Sequence, residues 1–254
     1  MVKQAHASLA LAALVGLALA TAGCGESTSE SEDDPNAEGS CDSEFSGPID
    51  PSALIDDLED NNGQIAEVGT RNGGWWISTD GSDGVVTPEA EMQPLPERIL
   101  GKRCDSEFGM HVTGSAFSEW GVVLSLGFHY NAEEEKEEPV NLSEFGGVMF
   151  WARTGDTHSS HVRIQFQDST THAEGGKCNP EASSADECWN GWGTEITPIS
   201  TEWQLYKIRF SALSQRDFGL LGESFDLEHV YNIDFNLDPN SVFDVWLDDL
   251  WLFE

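Results

Sequence analysis

Arg163, Gln165 and Gln167 occupy every second position of the run HVRIQFQD, with Val162, Ile164 and Phe166 between them. Successive side chains of a strand point to opposite faces, so this spacing sets a guanidinium and two amides against three apolar groups. Asp234 and Asn236 alternate with Ile233, Phe235 and Leu237 in the same way, and Ser125 and His129 stand opposite Val122, Leu124, Leu126 and Phe128. If these strands are neighbours, their polar sides form one field of planar donors and acceptors on a rigid backbone. Such a field suits a ring of hydroxyls. A solvated antiparallel sheet shows the same alternation, so the pattern leaves both readings open.

The chain has nine tryptophans, all between Trp75 and Trp251. An exposed indole offers a flat apolar face to the C–H side of a sugar ring, and a buried one fills a core. Trp203, Trp246 and Trp251 lie in strand-like runs and read as packing residues. Trp189 and Trp192, in CWNGWG beside Cys188, have little else apolar around them and are the candidates for exposed platforms.

Carboxylates cluster at both ends of the domain, in LIDDLEDNNG and in VWLDDL. Pairing of the first and last strands brings Asp57 or Glu59 near Asp248 or Asp249, with Asp80 and Asp83 of the TDGSDG turn as a third contributor. Hard oxygens converging in this way suit a structural Ca²⁺. Divergence of the same carboxylates into solvent is the plainer alternative.

The elements that must carry these residues can be read from the rest of the chain. Residues 1–23 combine Lys3, an apolar stretch from Leu9 to Ala20 and small residues directly before Cys24. That is the pattern of an export signal whose core is too short to span a membrane comfortably. Small residues followed by Cys resemble a lipobox, with Cys24 as the acylated residue, although Thr21 stands where Leu is usual. Export is expected, with the protein held at an outer membrane or cell surface through an N-terminal lipid; soluble secretion is the alternative. Residues 24–47 are too rich in Ser, Glu, Asp and Gly to bury a core and read as a disordered acidic linker.

Four cysteines then remain, and in an oxidising compartment disulfides are the default. Cys178 with Cys188 closes a short loop, which leaves Cys41 with Cys104. The 12 basic and 46 acidic residues give a net charge of −34, or −35 once Lys3 leaves with the signal. This field repels nucleic acid and anionic headgroups and sets DNA or RNA binding aside.

Residues 48–254 carry the period-two runs, separated by Gly, Asn, Asp, Ser and Pro clusters, without long helical periodicity. About 205 residues is an ordinary size for one large sandwich. The expected fold is all-β, a two-sheet antiparallel jelly roll, with at most a turn of helix over Leu213–Phe218.

Several segments, in order, resemble the galactose-binding-like jelly-roll carbohydrate-binding modules, of the family 11 type. They are LIDDLEDNNG (54–63), RNGGWWISTDGSDGVVTP (71–88), SEWGVVLSLGF (118–128), LSEFGGVMFWART (142–154), TEWQLYKIRF (201–210) and FDVWLDDLWLFE (243–254). The resemblance covers about 200 residues. It implies a polysaccharide or oligosaccharide as partner, a concave face lined by Arg163, Gln165 and Gln167, and calcium ligands at Glu59 and Asp248. The Cys-stapled insertion over 178–192 departs from it.

Non-catalytic polysaccharide binding is therefore the leading expectation. No G-x-S-x-G, H-E-x-x-H or P-loop occurs, and acidic residues are too numerous for any pair to stand out as a hydrolase dyad. A glycoside hydrolase or lyase, and an envelope lipoprotein that binds a protein partner, are the alternatives.

Overall fold

The computed structural model describes residues 50–90, 92–156 and 158–254. The expected signal, the expected acylation site Cys24, the expected acidic linker and Cys41 lie outside the described residues. Cys104 is disulfide-bonded.

Fourteen strands are described: β1 (Leu54–Asp56), β2 (Trp75–Thr79), β3 (Val85–Thr87), β4 (Glu97–Arg103), β5 (Ser106–Ser115), β6 (Val122–Gly127), β7 (Tyr130–Asn131), β8 (Lys136–Glu137), β9 (Gly147–Thr154), β10 (Val162–Asp168), β11 (Trp192–Ile196), β12 (Gln204–Arg209), β13 (Val230–Leu237) and β14 (Val242–Phe253). One sheet runs β12-β9-β14-β5-β3, with β1 added beside β14 and β4 beside β5. The other runs β11-β10-β13-β6-β2, and β7 pairs with β8 as a separate hairpin. The expected sandwich is what forms. The helical turn expected over Leu213–Phe218 is absent; a 3-10 turn occupies Phe210–Ala212 instead.

The alternation read from sequence decides which side chains fill the space between the sheets. Leu124, Leu126, Ile164, Phe166, Ile233 and Phe235 enter it from the five-stranded sheet, and Val112, Val148, Phe150, Val245 and Leu247 from the other. Phe150 meets Phe235 edge-on across the interface, ring centres 5.3 Å apart. Each fully buried side chain of this size contributes about 1.5–3 kcal/mol, and together they fix the register of both sheets.

The outer side of the seven-stranded sheet is closed by a ladder of alternating rings and guanidinium groups. Arg153 lies 5.2 Å from the Trp246 ring and 5.3 Å from that of Trp203, and Arg103 lies 4.8 Å from the Trp151 ring. His111 stacks on the far side of Trp246 at 3.9 Å. Trp203 and Trp246 thus pack, as their strand-like context implied. The desolvated rings hold the cations by their quadrupoles.

The domain's two ends meet as expected: β1 pairs with β14, Leu54 opposite Trp251 and Asp56 opposite Leu250. Asp56 is buried there, accepting from Trp75 Nε1 at 2.7 Å and from the Leu58 amide at 2.9 Å. Burial outweighs both donors and pushes the carboxyl up to about 7. The native state then keeps this proton to a higher pH than the unfolded chain, whose Asp loses it near an ordinary value of about 3.9. The stability linked to Asp56 is complete below about pH 4 and is lost as pH rises to about 7. Asp56→Asn cannot ionise. Relative to wild type, its unfolding free energy should gain up to about 4 kcal/mol between pH 4 and pH 8, read by urea unfolding; a constant difference across that range refutes the raised carboxyl.

Candidate functional site

The outward side of the five-stranded sheet gathers the polar residues that the sequence set apart. Strand register lines up Trp76, Ser125, Asp234, Gln165 and Gly193 in one row across β2, β6, β13, β10 and β11. Two residues along, Ser78, Val123, Asn236, Arg163 and Glu195 form a second row. On the other side of the first, Gly127, Asn232 and Gln167 form a third.

Asp234 is the hub. Its Oδ1 accepts from Ser125 Oγ at 2.7 Å and from Asn232 Nδ2, and its Oδ2 accepts from Gln167 Nε2 at 2.8 Å and Gln165 Nε2 at 3.3 Å. An ionised carboxylate is acceptor-only, so four donors aimed at it also fix which way each amide faces. Burial pushes its pKa above the ordinary carboxylate value, while the donors from Gln167, Ser125 and Gln165 pull it back.

These groups are less open than the sequence pattern implied. Asp234 is 5% exposed, Gln165 7% and Gln167 1%. The cause is the stapled insertion, which folds back over β10. Cys178 and Cys188 are bonded as expected. The next residue, Trp189, has φ 75°, a left-handed backbone that is costly for a non-glycine residue. That geometry turns the Trp189 carbonyl inward, where it accepts from Gln165 at 3.3 Å and Gln167 at 3.4 Å. The Trp189 amide donates to Thr171 O at 2.9 Å. Asn190 is clasped to the following loop, donating to Arg216 O at 2.7 Å and accepting from Arg216 N at 2.9 Å. The strap therefore covers the β10 side of the face.

The Trp189 ring points the other way and is 45% exposed, as expected of a platform. Trp192 does not. It opens β11 opposite Phe166 and shares the core side of that strand, tilted against Phe225 at 6.2 Å.

From Trp189 a line of contacts crosses to the opposite wall. The ring meets His172 edge-on at 5.9 Å. His172 Nδ1 accepts from the Glu174 amide at 3.2 Å, which leaves the proton on Nε2 for Glu137 Oε2 at 2.8 Å. Glu137, brought in by the β7–β8 hairpin, borders Gly127, and the half-buried Trp76 ring lies over the same glycine. A Cβ on Gly127 would stand 2.8 Å from the Trp76 ring, so the missing side chain is the seat of the indole. Gly193 does the same on the other edge, where a Cβ would collide with Gln165 and come within 3.0 Å of the Arg163 guanidinium.

Arg163 is buried and donates to Glu195 Oε1 at 3.0 Å and to Ser214 O at 2.8 Å. Glu195 also takes Arg216 at 2.9 Å and His161 at 2.9 Å. Partial burial raises the Glu195 pKa, and the hydrogen bonds from Arg216 and Arg163 more than reverse it, holding it below the usual range. Asn236 is half-buried beside this cluster. His129, also half-buried, sits at the hairpin wall against Asn72 at 2.8 Å.

Trp76, Glu137 and His172 were not among the residues the sequence singled out. Trp76 had a signal, since alternation along WWIST places Trp75 inside and Trp76 outside. Glu137 and His172 had none.

With the face described, its relatives can be placed. The family model "Carbohydrate binding domain 30" matches residues 69–254. The chain belongs to that family. No curated protein sequence matches the module. Among solved structures it is similar to the family 11 carbohydrate-binding module from Clostridium thermocellum in complex with a β-1,3-1,4-mixed-linked tetrasaccharide: 15% identity, TM-score 0.48, 79% of this chain and 94% of that one. It is also similar to the family 30 module of a cellulosomal cellulase of Clostridium thermocellum: 15% identity, TM-score 0.46, 76% of this chain and 96% of that one.

Of the residues expected to hold calcium, Asp80 stays apart from the other two. Asp80 caps its own turn, accepting from Ser82 N at 2.9 Å, Glu119 N at 2.8 Å and Gly121 N at 3.0 Å. Glu59 and Asp248 do meet, joined through Ser106 Oγ at 2.9 Å and 2.8 Å. Among the described residues no group of three or more His, Cys, Asp or Glu side chains is arranged to hold a metal ion.

Asp234→Asn replaces one acceptor oxygen by an amide that faces the Gln or Ser donors. It should cost roughly 2–4 kcal/mol, measured by urea unfolding. A loss below about 1 kcal/mol, the worth of one ordinary hydrogen bond, contradicts the hub.

Proposed function

We propose that this domain holds a polysaccharide chain on the outward side of the five-stranded sheet, between Trp76 and Trp189, and neither makes nor breaks its bonds. The observation that carries the proposal is the Trp189 indole. It is a large apolar ring left in solvent, yet its backbone is fixed by a disulfide, two amide donors and the Asn190 clasp. A preorganised ring loses little entropy on stacking against a sugar. Membership of a carbohydrate-binding family supports the ligand class.

In this reading the buried quartet of Gln165, Gln167, Asn232 and Asp234 positions the platform from below. Asn236, His129, Ser78 and the Glu195–Arg216 rim supply the hydroxyl partners. An acyl chain on Cys24 and the acidic linker hold the domain at a membrane surface facing the exterior; radiolabelled palmitate that is incorporated by wild type and lost in Cys24→Ala is the readout for that part.

Affinity electrophoresis against β-glucans, xylans and mannans tests the binding. At least one polymer should retard the wild type. Trp189→Ala should weaken that retention tenfold or more, since a buried stacking anchor contributes about 1–3 kcal/mol, with little change in melting temperature. Retention by none of the three classes, or full retention by Trp189→Ala, removes the proposal. Reducing-sugar release from a retained polymer overturns its non-catalytic half.

A further inference from the structure

The cation between the two ends of the domain is carried by the protein itself. Strand β14 breaks register between Asp248 and Trp251, and Asp249 there has φ 45°. A bulge allows two consecutive side chains to lean the same way, and both carboxylates reach one guanidinium. Arg103 Nε donates to Asp248 Oδ2 at 2.8 Å and Nη2 donates to Asp249. Ser106, its partner across the β4–β5 turn, bridges Asp248 to Glu59.

Four of the six carboxylate oxygens of Glu59, Asp248 and Asp249 already accept hydrogen bonds, two of them from the guanidinium. Glu59 Oε1 accepts from Ser106 Oγ, from Glu107 N at 2.8 Å and from Phe108 N at 3.0 Å. Asp248 Oδ1 accepts from Asp249 N at 2.8 Å. The Arg103 side chain is 7% exposed and lies over the Trp151 ring at 4.8 Å. Three carboxylates in so small a space require positive charge, and a calcium ion requires six to eight free oxygens. The charge requirement is met by the guanidinium, whose donors also hold the Asp248 and Asp249 oxygens that would turn to an ion.

We infer that the Arg103 guanidinium does the work of a divalent cation at this junction, tying the turn after β1 to β5 and to the β14 bulge, and that the fold is independent of such an ion. The full chain can be tested by thermal unfolding and by terbium luminescence excited through tryptophan. At matched ionic strength the wild type should melt at the same temperature in EDTA and in excess calcium. Arg103→Ala opens the carboxylates to an ion. Its melting temperature should fall by roughly 10 °C in EDTA and recover most of that in calcium, with saturable terbium emission above the wild-type background. Arg103→Lys keeps the charge and should stay indifferent to calcium. Loss of wild-type stability in EDTA overturns the inference, as does a folded Arg103→Ala without calcium response or terbium emission, or an Arg103→Lys that requires calcium. If Arg103→Ala does not fold under either condition, the wild type and Arg103→Lys decide the matter.

Discussion

A carboxylate removed from water must find donors, and Asp234 finds four, from Ser125 on β6, Asn232 on its own strand, and Gln165 and Gln167 on β10. This single constraint joins three strands on the side of the sheet away from the core. It also decides the amide orientations, because an acceptor-only centre leaves no choice about which end of Gln or Asn faces it. Gln165 and Gln167 are then placed to reach a second acceptor, and the Trp189 carbonyl is that acceptor. The left-handed backbone of Trp189 follows from the inward turn of its carbonyl, and the outward ring from the same turn. Polar burial on the sheet and aromatic exposure above it are two ends of one network, in which each bond is strengthened by the low dielectric created by the others.

The part of this network that was legible in the sequence is the part governed by period two. Alternation gave the core face and the polar face of each strand, because a one-residue slip would expose Phe166 and Phe235; that β6, β10 and β13 are neighbours was a condition of that reading, and the strand pairing meets it. Loop closure gave Cys178–Cys188. What alternation cannot convey is how a non-repetitive segment folds back. The strap over β10 depends on Asn190 meeting Arg216, 26 positions away, and on a backbone conformation that Trp189 does not favour. Hence Gln165, Gln167 and Asp234 read as an open field and are in fact a covered one. Trp192 was misjudged because its environment looked polar along the chain, whereas its register partner is Phe166. Glu137 and His172 meet only after a hairpin of two-residue strands is in place. Asp80 satisfied its own turn, the usual behaviour of Asp before Gly and Ser, and did not join the distant carboxylates.

The placement of positive charge follows a single logic. The chain has 12 basic residues against 46 acidic ones, yet Arg71, Arg103 and Arg163 are all buried. Each faces oxygens: Arg71 a backbone carbonyl of the first turn, Arg103 two aspartates, Arg163 a glutamate and a carbonyl. A guanidinium is weakly hydrated and presents a rigid fork of donors, so it tolerates such sites better than lysine. These three cations sit where the dielectric is low and each contact is strongest.

The same economy distinguishes the two outer faces. On the seven-stranded sheet, Trp151 and Trp246 are covered by Arg103, Arg153 and His111, so that face has few indoles left for a ligand. On the five-stranded sheet the nearby cation, Arg163, is drawn down to Glu195 and Ser214 and does not cover a ring. Trp189 meets His172 in a T-shaped contact, and its ring stays 45% exposed. Where arginines cap tryptophans the sheet is sealed; where they are diverted to carboxylates and carbonyls an aromatic surface stays available. Which face keeps an uncovered indole thus follows from which acceptors lie beside each arginine.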